Sequence, residues 1–104
     1  LTGSTNGQGI VVSSGTAIHT GVGGSVSIDE VWLYATCVSA STSSIVTINW
    51  GSVSTSSSIT ISLAASAGVS LVAPGFPING SGAITASATP ANSICIYGYV
   101  NRIG

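Results

Sequence analysis

Apolar and polar residues alternate with a period of two along most of the chain. VSI at 26–28 leads into VWLYATCV at 31–38, and the alternation returns in IVTINW (45–50), SITISLA (58–64), GVSLVA (68–73), AITASA (83–88) and SICIYGYV (93–100). Successive side chains of a strand point to opposite faces, so each run predicts a strand with one buried face. IVVS (10–13) adds a further strand and TAIHT (16–20) a short one. No window sustains the i, i+3, i+4, i+7 spacing of an amphipathic helix. Seven or eight strands recurring about every twelve residues predict an all-β fold, an antiparallel β-sandwich or jelly roll.

Between the runs lie clusters of glycine, serine, asparagine and proline at 21–24, 39–44, 51–57, 74–82 and 90–92, with a further break at 65–67. Glycine supplies positive φ, and serine and asparagine hydrogen-bond their own backbone, so these clusters predict turns. Asn79-Gly80 marks the tightest of them, and the Asn79-Gly80-Ser81 sequon is read as that turn. A chain of 104 residues is one domain's worth. It divides into an N-terminal arm, 1–14, that includes a possible first strand, and a single sandwich domain, 15–104. The opening LTGSTNGQG has no apolar periodicity and is expected to be mobile until a partner orders it.

Composition changes the picture of the surface. Charged residues make up 3% of the chain, against roughly 25% in ordinary soluble domains, while serine and threonine together number 31. The hydrophilic side of the fold is therefore built of hydroxyls and amides. With a formal net charge of −1 there is little repulsion between copies, which predicts self-association or cover by a partner. A chain with one arginine and no lysine has no basic patch for nucleic acid or anionic lipid. The most apolar stretch, ISLAASAGVSLVAPGFPI, is interrupted by serines and glycine and broken by Pro74 and Pro77, which argues against a membrane-spanning helix. The start lacks the basic and apolar regions of a secretion signal.

The charges that remain are Asp29, Glu30 and Arg102, two of them adjacent in SIDEVWLYATC. On neighbouring strand positions Asp29 and Glu30 project to opposite faces, so they make a poor carboxylate pair for catalysis. One is expected to stay in solvent at the sheet rim. The other lies at a boundary, where it accepts backbone N–H groups or meets Arg102, within one copy or between two. His19 is the only histidine, no G-x-S-x-G elbow occurs, and these ligands are too few for a metal, so neither catalysis nor a cofactor is expected. His19 is read as a packing or hydrogen-bonding side chain. Strand parity points the sulfurs of Cys37 and Cys95 in different directions, which favours free thiols over a disulfide.

Trp32 shares a strand face with Tyr34, and Tyr97 with Tyr99. An exposed, coplanar strip of these rings favours a glycan-binding module of a tail fibre or a secreted adhesin, whereas burial favours core or subunit interface. The threonines do not recur at the constant interval of an ice-binding array.

IDEVWLYATCVSAS, the proline-bearing GVSLVAPGFPING and the ending SICIYGYVNRIG together resemble small accessory virion proteins of tailed bacteriophages. The resemblance runs in layout from His19 onward. It implies a β-sandwich without enzymatic role that decorates or cements a capsid. Such a protein is made in the bacterial host cytoplasm and ends on the capsid surface, here most simply as a homotrimer on the major capsid protein. On that reading the contacts with copies or capsid involve Ile10, Val11, Val12, Asp29, Glu30 and Arg102.

Overall fold

The computed structural model describes residues 1–4, 6–39, 41–51, 57–66 and 68–104. They form eight strands and no helix: β1 (Ile10–Val12), β2 (Thr16–Thr20), β3 (Ile28–Cys37), β4 (Ser44–Trp50), β5 (Ser58–Leu63), β6 (Ser70–Ile78), β7 (Ala83–Thr89) and β8 (Ile94–Ile103). Two four-stranded antiparallel sheets result, ordered β1-β8-β3-β6 and β2-β7-β4-β5. First pairs with eighth, second with seventh, third with sixth and fourth with fifth. A single long antiparallel ribbon has thus wrapped on itself, and the β8-β3 and β7-β4 pairings close the wrap. This is the jelly-roll topology, the more specific of the two architectures the strand pattern allows.

The core lies between the sheets, and the alternation explains it. In β3 the odd residues from Asp29 to Cys37 are buried and the even ones partly exposed. Val31, Leu33 and Ala35 meet Ile94 and Ile96 of β8, Val46 and Ile48 of β4 and Ile84 of β7 in one cluster. Of the apolar residues expected in β1 to contact a neighbour, Val12 is fully enclosed in this core and Ile10 packs against it, so Val11 alone of the three stands exposed. Cys37 faces inward and Cys95 outward, and both thiols are free.

Two boundaries differ from the sequence pattern. A turn is expected from Pro74 onward, yet β6 continues through Pro74 and Pro77 to Ile78. It can do so because it is an edge strand with two register shifts against β3, and Gly75, at φ +78°, carries the irregularity between Pro74 and Phe76. β8 runs past Val100, pairing Asn101, Arg102 and Ile103 with Glu30, Asp29 and Ile28. The turn at Asn79-Gly80 is present: Gly80 and Ser81 both have positive φ, and the Gly82 N–H donates to the Asn79 carbonyl at 3.1 Å.

The segment assigned to the arm contains β1 and lays its first residues along the edge of β2. Gly3 N–H donates to the Ile18 carbonyl at 2.9 Å, Thr20 N–H donates to Thr2 Oγ1 at 2.7 Å, and Leu1 packs against the core.

Candidate functional site

Two places concentrate unusual chemistry, and both lie on the β3-β8 pair. The first is at one end of the sandwich. Asp29 points inward from β3 with no exposed surface, opposite Arg102 in the register. Arg102 Nε donates to Oδ1 at 2.6 Å and Nη2 to Oδ2 at 3.0 Å. Oδ2 also accepts the Val22 N–H at 3.1 Å and lies 2.9 Å from His19 Nε2. Because the Thr2 N–H can only donate, and does so to His19 Nδ1 at 3.1 Å, the ring proton sits on Nε2 and points at Asp29. One carboxylate thereby ties together β3 and β8 of one sheet, β2 of the other and the loop after β2. Glu30, pointing the other way, accepts from the Asn101 amide at 3.0 Å on the outer face.

The expected boundary carboxylate is therefore Asp29, and its arginine contact lies within one copy. What sequence reasoning did not supply is His19 as the third partner. It belongs to the opposite sheet, and nothing local to TAIHT marks it. An open cleft of about 320 Å³ adjoins the cluster, lined by Leu1, Thr2, His19, Val100 and Arg102. Both nitrogens of His19 are engaged, so the ring does not present a free base to that cleft. Among the described residues no group of three or more His, Cys, Asp or Glu side chains is placed to hold a metal.

The hydrogen bonds from Arg102 hold the Asp29 carboxyl well below its ordinary value of 3.8. Burial opposes them, and His19, the Arg102 charge and the Val22 N–H assist. A depressed folded-state pKa stabilises the fold at pH above the unfolded carboxylate value, and that stability is lost as pH falls. The urea midpoint is therefore expected to decline from about pH 5 downward, where an unfolded aspartate begins to take up its proton. In Asp29→Asn the decline should be much shallower. Equal slopes for the two proteins between pH 6 and pH 2 would remove Asp29 as its source.

The second place is the outer face of the β1-β8-β3-β6 sheet. The β3-β8 register sets Trp32 opposite Tyr99 and Tyr34 opposite Tyr97, so the two aromatic pairs of the sequence merge into one four-ring cluster. Trp32 and Tyr99 are parallel to within 8°, with centroids 6.0 Å apart. Tyr99 is 53% exposed and Tyr97 is also exposed, while Trp32 and Tyr34 are half-buried. Burial and the neighbouring Tyr34 hydroxyl both raise the Tyr99 hydroxyl pKa, burial the more. Gly9 has no Cβ because one would lie 2.6 Å from Tyr97 Cζ, so the chain entering β1 passes directly against that ring. Aliphatic residues border the cluster: Leu71 and Pro74 on β6, across from Tyr34 and Trp32, and Val11 on β1. Surface rings are the condition under which the sequence favours glycan binding, and an unfilled subunit contact would present them as well.

Comparison with models of protein families, with curated proteins and with solved structures finds no match to this chain.

Proposed function

We propose that this chain is a structural protein of a tailed-phage particle, a capsid decoration or cement subunit that acts as a homo-oligomer bound to the major capsid protein. The observation that carries the reading is the outer face of the β1-β8-β3-β6 sheet, which is apolar, aromatic and almost without charge. Soluble monomers rarely leave such a face open, and burying it against protein is favourable at roughly 25 cal/mol per Å². Its one carboxylate, Glu30, is engaged by the Asn101 amide. A glycan platform needs unpaired polar groups around its rings.

The second reading, a glycan-binding module of a tail fibre or adhesin, draws support from the parallel Trp32 and Tyr99 rings. One experiment separates the two. Phage particles mixed with the labelled chain are run through a density gradient, and the same chain is applied to a glycan array. The capsid reading expects co-migration with intact heads that persists in 1 M salt, because neutral contacts are not screened. Absence from the heads, together with micromolar glycan binding abolished by Tyr99→Ala, would replace it with the second reading.

A further inference from the structure

Resting on the reading of the chain as an assembling subunit, we infer that the outer face of the β1-β8-β3-β6 sheet is the surface on which a second copy of this chain binds. The two outer faces of the molecule differ in kind. On the β2-β7-β4-β5 sheet, Thr47 stands beside Thr60 and Ser87, Ile45 beside Ser62 and Thr89, and the Thr47 and Thr60 hydroxyls lie 3.4 Å apart. That is a surface of hydroxyls, which need no protein partner to stay in solvent. The opposite face is layered in rows by the register: Val11, Cys95 and Thr36; then Tyr97, Tyr34 and Leu71; then Tyr99, Trp32 and Pro74; then Asn101, Glu30 and Pro77. Aromatic rings fill the middle rows and polar groups lie toward the ends, the arrangement of a buried contact with its rim.

Size and charge select the occupant. Three strands about 4.8 Å apart over eight residues of about 3.4 Å, with the three-residue β1 beside them, give a face of roughly 450 Å². Two such faces together cover about 900 Å², the size of a weak, reversible contact. The one ionisable charge on the face is Glu30, held at the rim by Asn101. A strongly charged partner finds no complement there, whereas a second copy brings an equally neutral, apolar face. At its rim the Glu30 carboxylate and the Asn101 amide are already paired to each other, so covering them strands neither.

The test is self-association of the full chain, followed by sedimentation over a concentration series. Tyr99 and Leu71 are 53% and 51% exposed, so Tyr99→Ser with Leu71→Ser leaves the core untouched. The wild type is expected to be oligomeric at micromolar concentration, and the double variant should associate about 100-fold more weakly. Ile45→Ser on the other sheet should leave the mass unchanged. A second measurement needs no variant: alkylation of Cys95, which sits in the first row of the face, should slow as the wild type associates, while the mass read in parallel gives the number of copies. A monomer at every concentration, or an oligomer indifferent to the double variant whose Cys95 reactivity does not change, overturns the inference. Particle attachment is read separately. A chain that binds heads only as a monomer keeps the capsid reading and sinks the self-contact, and an oligomer formed through this face that ignores heads does the reverse.

Discussion

Arg102→Ala is expected to lower the stability of the isolated chain by about 2–3 kcal/mol in urea unfolding, and adding Asp29→Asn to restore at least about 1 kcal/mol of it. Removing one partner of a buried ion pair typically costs about 3–5 kcal/mol, because the other charge is left uncompensated. The lower figure applies here because the Arg102 side chain is 55% exposed and the stranded carboxylate keeps His19 and the Val22 N–H. In the double variant the amide oxygen takes the place of Oδ2 and still accepts from both. The amide nitrogen then occupies the place of Oδ1, where the guanidinium no longer opposes it. In Asp29→Asn alone that nitrogen faces Arg102 Nε, so the single change is also costly. The cycle is strongly non-additive for that reason, and costs that simply add within about 0.5 kcal/mol would show that Asp29 and Arg102 do not act as a unit. The loss is a large share of the roughly 5–15 kcal/mol that holds a domain folded.

Gly98→Ala is expected to be at least as damaging, at about 3 kcal/mol. Gly98 lies opposite Leu33 in the central β3-β8 pair, and a Cβ there would collide with the backbone carbonyl oxygen of Trp32. Overpacking a core commonly costs about 1–3 kcal/mol when side chains give way. A carbonyl inside a ten-residue ladder has no rotamer to change, so the strands themselves must separate. Gly23→Ala is the matched control: its Cβ would meet only Ser81 Oγ at 3.4 Å, and its effect should stay below about 1 kcal/mol. Equal urea midpoints for Gly98→Ala and Gly23→Ala would mean that the β3-β8 pair accommodates the methyl group freely.

Most strands were legible, the edge strands β1, β2 and β5 among them. β3, β4, β7 and β8 each pack one face on the core, and burial of one face is what writes a period of two into a sequence. β6 was legible only to Ala73, because proline ends a strand unless the unpaired side of an edge absorbs its missing donor, and edge position is a property of the sheet. The end of β8 was missed because Asn101 and Arg102 interrupt the apolar pattern where the strand leaves the core.

Local sequence by itself determined that Asp29 and Glu30 face opposite ways, that Cys37 and Cys95 do too, and that Trp32 with Tyr34 and Tyr97 with Tyr99 share faces. Each of these follows from the two-residue repeat of an extended backbone, which acts within one strand. Tertiary structure alone decided that His19 from the other sheet would complete the Asp29 cluster, that the Arg102 contact would close inside one copy, and that two aromatic pairs would become one four-ring face. Those outcomes depend on which strands become neighbours and in what register. The wrapping of the whole ribbon sets both, through contacts between residues as far apart as Asp29 and Arg102, and no local window records them.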